Sequence, residues 1–142
     1  MSRERWAWTT SQRIPSERGA GRRVIEEVLE QLEQYHWTGR DLFGVRLALE
    51  EAIVNAIKHG NRLDFQKQVR VDCKLSPERL WIEIADEGGG FLPETVPDPT
   101  DPANLEKPSG RGIMLMRNYM NRVEYNESGN VVTMEKQRAR TL

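Results

Sequence analysis

An α+β fold is predicted for this chain of 142 residues by a change of hydrophobic period along its length. Between Asp41 and Gly60 apolar residues recur at spacings of three and four, as in a helix with one buried face. From Val69 to Ile84 apolar and polar residues alternate about a turn, as in a half-buried hairpin. Two short apolar segments near the C-terminus bracket Glu127-Ser128-Gly129-Asn130 and predict a second hairpin. A length in the range of ~100–200 residues per domain predicts one domain over 1–142, with an ordered core of about 5–136.

Composition narrows the class. Acidic and basic residues nearly cancel, 22 against 21, so nothing pulls the chain strongly toward nucleic acid or anionic lipid. Trp6, Trp8, Trp37 and Trp81 do not cluster on a basic face, and a base-stacking surface is not expected. The arginines from Arg3 to Arg23 tilt the first segment positive, which suits solvent or an acidic protein partner. Cys73 is the only cysteine; it excludes an internal disulfide and reads as a small strand residue in a reducing compartment. The start has no apolar leader and no run approaches the ~20 apolar residues of a membrane span. A cytoplasmic protein without a membrane segment is the expectation.

The elements follow in order. Residues 5–14, with Trp6, Trp8, Thr9, Thr10 and Ile14, predict a strand. Pro15-Ser16-Glu17 is expected to open a helix capped by Ser16, running to about Tyr35 and burying Ile25, Val28, Leu29 and Leu32. Gly39 interrupts the chain, and Asp41 is expected to cap the central helix. Leu42, Val45, Leu49, Ala52, Ile53 and Ala56 form its core face. Val69–Leu75 and Leu80–Ile84 are the strands of the first hairpin, and the second runs straight into Asp86-Glu87-Gly88-Gly89-Gly90. Residues 92–109 carry five prolines and few apolar residues, a length of loop that compact domains reserve for lids or leave disordered. Gly110-Arg111-Gly112 opens a helix through Ile113–Met116 to Met120. Val123–Asn126 and Val131–Lys136 then make the closing hairpin, and residues 137–142 are expected to fray.

Chemistry concentrates at three places. On the central helix Glu51, Asn55 and Lys58 fall on a second stripe, stacked one turn apart. A carboxylate, an amide and an ammonium in that arrangement fit either a solvated face or a site. Gly88 and Gly90, where a strand stops, let a ligand approach backbone without a Cβ between them. Gly110 and Gly112, ahead of a helix, offer free amides and the positive dipole end to phosphate oxygens. Neither glycine pattern follows the dinucleotide or Walker templates.

EEAIVNAIKHGN, IADEGGGF and KPSGRGIMLM, in that order, resemble the N box and two glycine boxes of the GHKL (Bergerat-type) ATP-binding fold. The likeness is to the small stand-alone serine-kinase anti-sigma factors of bacteria, from about residue 12 to 136. It implies a two-layer α/β sandwich, a mixed and mostly antiparallel sheet with helices on one face, and ATP and Mg²⁺ as cofactors. By the same resemblance Glu51 is the general base and Asn55 the Mg²⁺ ligand. Asp86 accepts from the adenine amino group, and Thr133 supports that contact. Gly88 and Gly90 pass under base and ribose, and Gly110 and Gly112 meet the phosphates. Lys58, His59, Lys107, Ser109 and Arg111 are candidate phosphate-side contacts.

The activity so implied is transfer of the ATP γ-phosphoryl to a serine or threonine of an antagonist protein, with a sigma factor as the second partner and a homodimer as a family habit. The alternatives are an ATP-gated binding module that transfers nothing, or a detached histidine-kinase ATPase domain. Only His36 and His59 exist, so histidine autophosphorylation is not expected. Retention of Glu51 favours the kinase, because binding alone needs no base.

Overall fold

The computed structural model describes residues 5–88 and 110–139. The expected lid over 92–109 and the tail beyond 139 lie outside them. Strand β1 spans Trp8–Pro15, α1 Arg22–Gln34, and α2 Gly39–Val54, which runs on into a π-helix over Asn55–Gly60. After these come β2 (Gln68–Leu75), β3 (Arg79–Ala85), α3 (Gly110–Tyr119), β4 (Arg122–Tyr125) and β5 (Val131–Gln137).

The strands form one five-stranded sheet in the order β1-β2-β3-β5-β4. Every ladder among the described residues is antiparallel, which sharpens the expected mixed sheet. Alternation sets its two faces. Val69, Val71, Cys73 and Leu75 of β2, Leu80, Ile82 and Ile84 of β3, and Val132 and Met134 of β5 are buried, and the helices cover that side. The other face is polar: Arg70 pairs with both Asp72 and Glu83, and Lys74 lies over the Trp81 ring at 5.1 Å.

The helices complete the core with Val24, Ile25, Val28, Leu29 and Leu32 of α1, and Val45, Ala48, Leu49, Ala52 and Ile53 of α2. Gly44 lets α2 approach α3, since a Cβ there would stand 2.8 Å from the Tyr119 ring. Trp37, within the α1–α2 connection, is buried, and its indole N–H donates to the Pro77 carbonyl at 3.2 Å.

Both expected caps are corrected. The helix expected at Ser16 begins only at Arg22; Ser16 is buried and its hydroxyl donates to the Lys67 carbonyl at 2.7 Å. Asp41 lies inside the first turn of α2, which starts after Thr38, and its carboxylate accepts the Ala139 N–H at 2.7 Å. Each polar side chain found a tertiary partner in place of the local cap.

The single long helix expected from 41 to 60 changes pitch at Asn55. Asn61 N–H donates to the Ala56 carbonyl at 2.8 Å, and Leu63 N–H to that of Ile57 at 2.9 Å, so the last turns are wider than α. Residues in a wider turn advance by less than 100° each, and those after Asn55 rotate away from the stripe that Glu51 begins.

Candidate active site

Three segments converge at one end of the sheet. α2 and the π-helix supply Ala52, Asn55 and Ala56, β3 and its exit supply Ile84 and Asp86, and the β4–β5 hairpin supplies Tyr125, Gly129, Asn130 and Val132. They enclose a slot of about 10 Å³.

Asp86 is the polar floor of this slot. Its Oδ1 accepts the Gly88 N–H at 2.8 Å, and its own N–H donates to the Asn130 carbonyl at 2.9 Å. Burial pushes its carboxyl up to about 6, with the Gly88 hydrogen bond and Lys67 pulling the other way. Glycine is required on both sides of it. A Cβ on Gly60 would lie 2.3 Å from the Asp86 carboxyl, and one on Gly88 1.7 Å from the Gly60 carbonyl oxygen. Gly88→Ala should therefore push the turn off the π-helix, cost about 1–3 kcal/mol in urea unfolding, and weaken any ligand held at Asp86. Unchanged stability would show that the turn relaxes freely.

Asn61 ties this corner together. Its Oδ1 accepts the Glu87 N–H at 2.8 Å, while Nδ2 donates to Ser16 Oγ at 2.9 Å and to the Gln68 carbonyl at 3.0 Å. It is 1% exposed, so the π-helix end, the start of β2 and the exit of β3 share one saturated network.

Glu51 and Asn55 face the cleft one turn apart. Burial, with Glu50 adding to it, holds the Glu51 carboxyl above its ordinary range. Gly112, in the first turn of α3, lies against it, and a Cβ there would meet Glu51 Oε2 at 2.5 Å. Asn55 is 7% exposed, and its Nδ2 makes no hydrogen bond of acceptable geometry among the described residues. The Tyr125 phenol is pushed up to about 12 by burial, with the adjoining Asn55 side chain and Arg117 pulling the other way.

The remaining expected residues divide. Gly110 opens α3 next to Gly112. His59 is half-buried at the end of the π-helix. Lys58 does not keep the expected stacking on Glu51 and Asn55: it lines a separate apolar groove of about 450 Å³ between α1 and α2, a consequence of the wider turn. Thr133 is also corrected. It stands on the outer face of the sheet, opposite Glu83 and Glu124, while Val132 beside it faces the slot. Gly90, Lys107, Ser109 and the side chain of Arg111 lie outside the described residues.

The family model for the histidine kinase-like ATPase domain matches residues 14–136. The chain belongs to this family. It is 31% identical over 104 residues to an anti-sigma F factor of Oceanobacillus iheyensis, covering 68% of this chain and 70% of the relative. The corresponding factor of Clostridium perfringens is 29% identical over 125 residues, or 83% and 86% of the two chains. The serine/threonine-protein kinase BtrW of Bordetella bronchiseptica is 25% identical over 91 residues, 63% and 64%. The fold matches the crystal structure of the RsbU and RsbW domains of Rv1364c from Mycobacterium tuberculosis with a TM-score of 0.65 at 16% identity. That match covers 95% of this chain and 34% of the longer one.

An ATPase domain binds ATP, and the donor set in the cleft fits a nucleotide with a hard cation. Asn55 carries a buried amide whose oxygen is of the kind a hard cation takes and whose Nδ2 is left unsatisfied among the described residues, and Gly60, Gly88 and Gly112 pack where a Cβ would collide with Asp86, the Gly60 carbonyl and Glu51. Among the described residues no group of three or more His, Cys, Asp or Glu side chains gathers. Sequence reasoning missed Tyr125, Asn130 and Asn61. A signal existed for Tyr125, which alternation from Val123 places on the core face with a hydroxyl to satisfy. Asn130 follows a turn glycine of φ +73° and gave no comparable sign.

Proposed function

We propose that this ATPase domain is a protein serine/threonine kinase that regulates a partner-switching pair, phosphorylating an antagonist protein and holding a sigma factor. The observation that supports it most is the approach of Gly112 to Glu51, which brings a carboxylate of raised basicity to the helix terminus suited to phosphates. The names of its relatives, anti-sigma F factors and a serine/threonine-protein kinase, point the same way.

In this reading Asp86 accepts the adenine amino group. Guanine offers a carbonyl at that position, which would leave the carboxylate mispaired and disfavour GTP. The first-turn amides of α3 at Gly110 and Gly112 hold phosphate oxygens. Asn55 would hold Mg²⁺ through its carbonyl oxygen. When bound, the cation supplies positive charge to the phosphate oxygens. Glu51 takes the proton of the incoming hydroxyl, whose oxygen bonds to the γ-phosphorus as the bond to the ADP oxygen breaks. The remaining work is positioning, which the rigid junction around Asn61 supplies.

The test is incubation with ATP, Mg²⁺ and a panel of candidate antagonist proteins, followed by mass spectrometry of their serines and threonines. Phosphorylation at a single hydroxyl of one panel member is expected. Tight ATP binding without transfer to any of them would favour a nucleotide-gated binding module.

A further inference from the structure

Asn55 poses a problem that the nucleotide reading leaves open. Its side-chain amide is almost fully buried, and its Nδ2 lacks a hydrogen bond among the described residues. An unsatisfied buried N–H is costly. An amide is also two-faced: unless something fixes it, rotation of the side chain lets N–H₂ stand where the oxygen is needed before a cation arrives.

The slot holds few groups that could settle the choice. Its polar side chains besides Asn55 are Asp86, Asn130 and Tyr125. Asp86 Oδ1 is taken by the Gly88 N–H, and Asn130 Oδ1 by the Asn126 amide at 2.8 Å. In the nucleotide reading the remaining Asp86 oxygen is reserved for the base. Tyr125 comes from a different element. It ends β4 on the core face opposite Val132, and its phenol adjoins Asn55 across the slot.

We propose that Tyr125 is the positioning residue for Asn55: its phenol oxygen accepts the Asn55 Nδ2–H and thereby turns Oδ1 toward the phosphate side of the cleft. The closing hairpin then does more than finish the sheet. It sets the polarity of the metal-facing amide on a helix more than 60 residues earlier, and Asn55 needs no reorganisation when a cation arrives. This inference rests on the nucleotide reading of the cleft.

Tyr125→Phe keeps the ring and removes only the hydroxyl. ATP affinity is measured by calorimetry with Mg²⁺ and with EDTA, for wild type and variant. Mg²⁺ should strengthen ATP binding to the wild type, and Tyr125→Phe should lose about five- to tenfold of that gain, the worth of roughly one hydrogen bond, with the EDTA value unchanged. A general structural defect would lower both values together and would overturn the proposal, as would a Mg²⁺ gain equal to the wild type. If the wild type has no Mg²⁺ gain, the nucleotide reading fails with it. A second readout needs neither metal nor nucleotide. The Asn55 side-chain amide protons should be protected from exchange in the wild type and lose that protection in Tyr125→Phe, and equal exchange in the two proteins would overturn the assignment.

Discussion

Glu51→Gln is expected to abolish phosphoryl transfer while leaving ATP binding within about twofold. The substitution keeps the shape of the side chain and its packing against Gly112, and removes only the ability to take a proton. A positioned general base is worth about 10²–10⁴-fold in rate, and burial has already raised the basicity of this one. Transfer to the antagonist protein is followed in single turnover with saturating ATP, and binding by calorimetry. Turnover within tenfold of the wild type would remove Glu51 from the role. Loss of binding together with transfer would mean that the carboxylate holds nucleotide and not the proton.

Asp86→Ala should cost roughly 1.5–3 kcal/mol of ATP affinity, the range for a hydrogen bond to a charged group, or about ten- to 150-fold in Kd. If Asp86 meets the base as proposed, the variant should also narrow any preference for ATP over GTP, since guanine would leave the carboxylate mispaired. A pH dependence follows from the carboxyl being held near 6. The ionised form accepts the adenine amino group more strongly than the protonated one, so adenosine affinity should rise as pH increases from 5 to 7 and level off above that. In Asp86→Asn the rise should disappear. Stability runs in the opposite sense. The folded pKa lies above the ordinary 3.8, so the contribution of this group is complete below about 4 and lost as pH rises through about 6. Adenosine affinity that stays flat from pH 5 to 7 would argue that Asp86 does not meet the base.

Much of the architecture was legible because burial writes itself into period. The alternation at Val69–Leu75 and Leu80–Ile84, and the three-four spacing through Leu49 and Ile53, each mark a face that packs. Asn55 and Asp86 were singled out by the resemblance of their motifs to a known family, and both line one slot, with Glu51 one turn before Asn55 on α2. What escaped was tertiary competition. Ser16 and Asp41 looked like caps because a cap is their best local option, and only the fold supplies Lys67 and Ala139 as better partners. Lys58 was misplaced because a change of helical pitch at Asn55 has no compositional mark. Thr133 illustrates the strictness of period two: one residue along β5 is the difference between facing the slot with Val132 and facing away from it.

The central claim is that α2, the exit of β3 and the start of α3 jointly form one adenine-nucleotide site. A crystal structure with a non-hydrolysable ATP analogue and Mg²⁺ tests it most directly. The adenine should lie on Asp86, the cation on Asn55, and the terminal phosphate between Glu51 and the Gly112 amide. A nucleotide seated elsewhere, or one whose base ignores Asp86, would contradict it.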